Sequence, residues 1–149
     1  EVFNMATTIG IFTIVVGMIC WIGQSLSLIA PDFAVKLGML EPKEEMDESF
    51  YIIDAKVLGT NDMALTWILP VSAIMMIFNV KYWPILALIG SGVFVYFSGY
   101  IILSRLILKT AGKKVGSNNS QIIGYVFSLF WIIASIGMSI LAVDHFYET

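Results

Sequence analysis

The stretch MALTWILPVSAIMMIFNVKYWPILALIGSGVFVYFSGYIILS, residues 63–104, contains a single charged residue, Lys81. Lys81 divides it into charge-free runs of 18 and 23 residues, Met63–Val80 and Tyr82–Ser104. About 20 apolar residues are needed to cross the hydrocarbon core of a bilayer. Since the junction Asn79–Trp83 has room only for a tight turn, the stretch predicts two antiparallel, neighbouring membrane helices.

Two more charge-free runs, Val2–Pro31 and Ile122–Val143, flank this pair. The first run has no basic segment of the kind that begins a signal peptide, so it predicts a retained span. The chain is 58% hydrophobic and 13% charged, whereas a soluble domain carries about 25% charged residues. The sequence therefore predicts an all-α, polytopic membrane protein: one domain over residues 1–149, folded as an antiparallel four-helix bundle with helices near residues 5–30, 52–78, 83–108 and 121–145.

Lysine and arginine are distributed unequally between the two sides of such a bundle. One side holds only Lys81, and the other holds seven basic residues: Lys36, Lys43, Lys56, Arg105, Lys109, Lys113 and Lys114. Cytoplasmic loops are enriched in these residues. We therefore expect a multi-pass protein with both termini on the non-cytoplasmic side.

The segment between the first two spans is longer than the other connections. Its first part, Asp32–Leu40, mixes acidic, aromatic and aliphatic residues and predicts a short amphipathic helix at the interface. An acidic cluster follows, made of Glu41, Glu44, Glu45, Asp47 and Glu48. It lacks the ligand spacing and glycine of an EF-hand loop, so a solvated loop is favoured over a metal site.

Small residues recur at seven-residue spacing, which places them on one face of a helix. Close approach of such faces is a common means of helix association in lipid. The pattern predicts packing faces on the first, third and fourth helices: Gly10 with Gly17, Ser91 with Ser98, Gly92 with Gly99, and Ser128 with Ser135 and Ala142. Pro70 predicts a kink in the second helix.

Polar residues near the start of the second helix are the main candidate site. At 100° per residue, Asp54 and Asn61 fall on nearly the same line, with Asp62 about 80° away. Ionisable groups in membrane segments indicate function by default, although this turn is expected near the interface, where a structural role is also open. Gln24, Tyr96 and Tyr100 are weaker candidates for the lining of a pocket between helices 2 and 3.

Several short motifs resemble the small DoxX-like four-helix membrane proteins. The resemblance lies in QSLSLIAPDF, residues 24–33, followed by Leu37-Gly38, in DAKVLG, residues 54–59, and in Trp83-Pro84. Lys56 stands where that family often has arginine. The resemblance implies a four-helix bundle, in a family some of whose members are tied to quinone-linked oxidoreductase complexes, and it transfers no catalytic residue.

Composition also limits the function. The net charge of −3 argues against nucleic acid, which calls for a basic face. One cysteine and one histidine predict no metal centre, and we expect no cofactor and no catalytic residue. The first hypothesis is an accessory or structural subunit, with the bilayer and other membrane subunits, or a second copy, as partners. The alternative is a binding or transport module for a small hydrophobic or protonatable ligand, and an enzyme using the acid pair is the weakest.

Overall fold

The computed structural model describes residues 2–148 of the chain, with side chains described from Met5 onward. Four helical segments are long and apolar enough to cross a membrane: Met5–Ile29, Glu48–Ile77, Trp83–Thr110 and Asn118–Glu148. Among the described residues there is no strand, only an isolated bridge between Met46 and Val115. The predicted all-α, four-helix, multi-pass fold is confirmed.

The elements follow one another in simple order. They are α1 (Val2–Ile29), α2 (Pro31–Lys36), a 3₁₀ turn (Lys43–Glu45), α3 (Glu48–Ile52), a π-helical turn (Ile53–Leu58), α4 (Gly59–Leu65), α5 (Ile68–Ile77), α6 (Trp83–Thr110) and α7 (Asn118–Glu148). The second span, Glu48–Ile77, is thus a composite of α3, the π turn, α4 and α5. It begins at Glu48, four residues before the predicted start. The short helix predicted within Asp32–Leu40 is α2.

The connections define two ends of the bundle. At the loop end, the linker between α2 and α3 meets the α6–α7 loop, because Asp47 N–H donates to Lys114 O at 2.9 Å and Gly116 N–H donates to Glu45 O at 3.0 Å. At the terminal end, Asn79 takes a positive φ of 52°, the left-handed conformation that ends many helices. The turn after α5 then leads directly into α6.

Small residues set the helix contacts. A Cβ added at Gly17 would lie 3.0 Å from the Pro70 ring, and one at Gly90 would lie 2.7 Å from the Leu69 backbone nitrogen. Ser91 and Ser98 are buried, whereas a Cβ at Gly92 or Gly99 would meet nothing within 4 Å. The glycine pair predicted to pack therefore faces outward, because it lies one residue round the helix from the buried serines.

Hydrogen bonds between spans complete the packing. Trp131 Nε1 donates to Val16 O at 2.9 Å, Trp21 Nε1 donates to Met63 O at 3.0 Å, and Ser91 Oγ donates to Ser135 O at 3.0 Å. Each such bond is worth on the order of 1 kcal/mol in a membrane. Pro70 stands in the first turn of α5, just after the helix breaks between Leu65 and Ile68.

Candidate functional site

The loop end of the bundle encloses a cavity of about 170 Å³, here called the loop-end cavity. All four spans and the linker after α2 contribute to its wall. Its polar lining comprises Gln24, Glu41, Asp54, Arg105 and Ser120, and its aromatic lining comprises Phe97, Phe127 and Trp131. The cavity therefore places polar and aromatic groups around one small volume.

An ion pair forms part of the polar wall. Arg105 Nη2 donates to Asp54 Oδ2 at 3.3 Å, and the two side chains retain only 14% and 16% of their exposure. Arg105 Nη1 also donates to Ile101 O at 3.4 Å, and the guanidinium lies 5.5 Å from the centre of the Phe50 ring. A guanidinium has five N–H donors, so Arg105 has donors left for a ligand, and Asp54 has unused acceptor positions.

Aromatic rings form another part of the wall. The Trp131 ring centre lies 5.3 Å from that of Phe97 and 5.8 Å from that of Phe127. Trp131 is held in place by its hydrogen bond to Val16 O. These tilted rings offer an apolar surface to a ring or a short hydrocarbon chain.

A carboxylate closes the cavity at the loop end. Glu41 accepts hydrogen bonds from Ser117 N at 3.1 Å, from Ser117 Oγ at 3.3 Å, and from Ser120 Oγ. Ser120 belongs to the first turn of α7, and Ser117 directly precedes that helix. Glu41 therefore lies at the N-terminus of α7, where a negative charge is favoured by the helix dipole. Glu41 thus ties the linker to α7.

The π-helical turn changes the geometry that the sequence predicts for the second span. A π turn holds one residue more than an α turn. Each residue after it therefore takes the position on the helix surface that the preceding residue would take in a regular α-helix. Asp62, rather than Asn61, then comes into line with Asp54. Asn61 is exposed and Asp62 is buried, so the predicted alignment of Asp54 with Asn61 is wrong.

The structure separates the predicted site residues into two groups. Gln24 and Asp54 line the loop-end cavity, whereas Asn61, Asp62, Tyr96 and Tyr100 do not. Tyr96 is 72% exposed on the outer face of α6, and Tyr100 is half-buried. Asp62 is buried, and its Oδ2 has no hydrogen-bond partner among residues 2–148.

Sequence reasoning missed Arg105, which it counted only as a loop-side charge. A signal was available: Arg105 is the only arginine, it lies five residues before the end of α6, and Asp54 lies six residues after the start of the second span. Both positions are therefore at similar depth from the same membrane face. No group of three or more potential metal ligands occurs in the described part of the chain.

Comparisons with protein families, curated proteins and solved structures found no match to this chain. The resemblance to DoxX-like proteins therefore stays a prediction.

Proposed function

We propose that the protein is a membrane-embedded binding module for a small amphiphile. The ligand's polar group would bond to Asp54 and Arg105, and its apolar body would lie against Phe97, Phe127 and Trp131. The observation that carries this proposal is that the ion pair and the aromatic wall line one and the same cavity.

The volume of the cavity and the charges in its wall limit which ligands can bind. An apolar cavity of about 150 Å³ holds one benzene molecule, and the loop-end cavity is of similar volume at about 170 Å³. Arg105 offers donors and Asp54 offers an acceptor, while their charges cancel. The best ligand is therefore uncharged, about the size of one ring, with a head that both donates and accepts a hydrogen bond.

A matched set of four probes tests this directly: benzyl alcohol, benzylamine, benzoate and toluene share one ring and differ in the head. We expect benzyl alcohol to bind the detergent-solubilised protein most tightly in calorimetric titration. Toluene lacks the head, and the charged probes disturb the ion pair. Equal, non-saturable uptake of all four probes would mean that the cavity holds only water or detergent, and would refute the proposal.

A cavity-filling variant supplies the control. Gly124 lines the cavity, and a Cβ there would lie 3.7 Å from Ile101 Cγ2. Gly124→Leu should abolish binding. Gly99→Leu makes the same change on the outer face of α6, where nothing lies within 4 Å of an added Cβ, and should leave binding intact.

The subunit hypothesis stays a prediction, and one observation favours it. A Cβ added at Gly92 or Gly99 would meet nothing within 4 Å, and this open space suits the close approach of a helix from a second chain. Purification in a mild detergent, followed by mass determination, would test it. A stoichiometric complex that Gly92→Leu disrupts supports the subunit role, and a monomer in both cases contradicts it.

We also propose that the loop end faces the cytoplasm and that both termini face away from it. The structure brings the two basic connections together at the loop end, and the seven-to-one ratio of basic residues gives the direction. A reporter fused after residue 149 and active only outside the cytoplasm should be active. If this reporter is inactive, and a reporter that is active only in the cytoplasm is active at the same position, then the topology is the reverse of the one proposed.

A further inference from the structure

The loop-end cavity opens on one side of the bundle. Besides the exposed linker residue Gly38, three residues with side chains both line the cavity and keep a large exposed fraction: Ile19 at 39%, Met39 at 40% and Ile123 at 45%. They belong to α1, to the linker after α2 and to α7. All three are apolar, so the rim of this opening suits hydrocarbon rather than water.

The wall formed by the second span and α6 is closed. Leu58, Phe97 and Ile101 line the cavity from the second span and α6, and they are exposed by only 8%, 2% and 7%. The ion pair lies on this closed side. A ligand that reached Asp54 and Arg105 through the opening would enter between α1 and α7.

The linker also covers the loop end of the cavity. Leu40, which lines the cavity, is 7% exposed, and Glu41 accepts hydrogen bonds from Ser117, just before α7, and from Ser120, in the first turn of α7. Gly116 allows this contact, because a Cβ there would lie 2.8 Å from Glu41 Cγ. The two backbone bonds between the linker and the α6–α7 loop hold the cover in place.

We propose that the cavity exchanges its ligand laterally with the bilayer, through the gap between α1 and α7, while Glu41 latches the linker over the water-facing end. This inference rests on the proposed function. It specifies the ligand as an amphiphile dissolved in the membrane and not an aqueous solute. An uncharged head with an apolar ring suits that source, because a charged ligand is strongly disfavoured in hydrocarbon.

Cys20 provides a reporter for the route. It is the only cysteine of the chain, it lines the cavity, and it is 3% exposed. The protein in lipid nanodiscs would be treated with N-ethylmaleimide, which dissolves in membranes, or with a sulfonated maleimide, which does not. We expect N-ethylmaleimide to label Cys20, and the sulfonated reagent to react on the order of a hundredfold more slowly because its charge is excluded from hydrocarbon.

Two variants address the two ends of the cavity separately. Ile123→Trp narrows the opening and should slow N-ethylmaleimide several-fold. Ile122→Trp is the matched control, because Ile122 is 59% exposed but lies outside the cavity lining. Glu41→Ala releases the linker and should speed the sulfonated reagent. If Ile123→Trp fails to fold, Ile19→Trp, with Ile22→Trp as its control, makes the same comparison on α1.

Three results would overturn the lateral route. They are equal rates for both reagents in the unaltered protein, equal effects of Ile123→Trp and Ile122→Trp, and a Cys20 that reacts with neither reagent until the protein is denatured. None of these rates depends on the benzyl alcohol titration. Loss of the route and loss of the proposed binding function are thus told apart.

Discussion

Arg105 donates a 3.3 Å hydrogen bond to Asp54 across 51 residues of sequence. The pair joins the second span to α6 at one depth in the bundle, and both residues line the loop-end cavity. An unpaired charge at either position would be left in a poorly solvated place. The same contact therefore contributes to stability and supplies the polar groups of the proposed binding site.

A double-mutant cycle measures this contact. Asp54→Asn and Arg105→Gln should each lower the free energy of unfolding. The double variant should lower it by less than the sum of the two single losses, with a coupling energy of about 1–3 kcal/mol. Unfolding in sodium dodecyl sulfate, followed by circular dichroism, gives the four free energies. Additive effects would show that the two charges do not interact.

Gly116 is expected to be the most sensitive glycine of the loop end. It combines a φ of +95° with a Cβ position 2.8 Å from Glu41 Cγ. Gly112 has a φ of +74° and open space around it. Gly112→Ala should cost about 1–2 kcal/mol for the backbone conformation alone, and Gly116→Ala should cost more.

The Glu41→Ala background isolates the contact between these two residues. Once Glu41 is truncated, the additional loss caused by Gly116→Ala should fall to that of Gly112→Ala. If Gly116→Ala costs no more than Gly112→Ala in the unaltered protein, then Glu41 does not lie against Gly116.

Gly90 fixes the spacing of α5 and α6. A Cβ there would lie 2.7–2.9 Å from Leu69 atoms, so Gly90→Ala must push two backbones apart, at about 1–3 kcal/mol. Gly92→Ala, two residues on, meets open space and should be neutral or stabilise the helix by up to about 1 kcal/mol. Equal effects of the two variants on thermal unfolding would refute the close approach.

Asp47 should make folding sensitive to acid. A hydrogen bond from Ser49 Oγ at 2.8 Å and the Lys113 ammonium at 3.1 Å lower the pKa of the Asp47 carboxyl from its usual value. Because the pKa is lower in the folded state, the stabilisation is present above the unfolded pKa of about 3.9. It is lost as the pH falls through the folded pKa.

Carbon-13 NMR of the labelled carboxyl tests this prediction. Ser49→Ala and Lys113→Gln should each raise the pKa of Asp47 towards its usual value. Stability between about pH 5 and pH 3 should also fall more steeply in the unaltered protein than in Asp47→Asn. An Asp47 pKa at its usual value in the unaltered protein would contradict the contact.

The fold was predictable because it depends on hydrophobicity, charge and turn residues, which can be read directly along the chain. Charge-free runs of sufficient length identify the spans, and the turn before Trp83 identifies one antiparallel pair. The packing faces were only partly predictable. Gly17 and Ser91 face neighbouring helices as predicted. Gly92 and Gly99 have the same seven-residue spacing as Ser91 and Ser98, and spacing alone does not show which of the two pairs lies on the buried side of α6.

The site was less predictable, because it depends on which face of the second span each residue occupies and on contacts between residues far apart in the sequence. The π turn at Ile53–Leu58 moves Asp62 into the position that a regular helix gives to Asn61, and no residue of that turn is diagnostic of it. The sequence alone predicts only loop charges for Arg105 and Glu41. Their roles depend on contacts with Asp54 and Ser117, which lie 51 and 76 residues away in the sequence. Helix periodicity predicts no contacts between residues so far apart.

The tryptophan indole signals give the most direct test of the central claim that the loop-end cavity binds a ring-sized amphiphile. The chain has four tryptophans, and only Trp131 lines this cavity. In nitrogen-15 NMR spectra of the protein in micelles, benzyl alcohol should shift the Trp131 indole signal with a saturable dependence, and Gly124→Leu should abolish that shift. A Trp131 signal that stays fixed while Trp67, 41% exposed on the outer surface, shifts in proportion to added probe would contradict the claim.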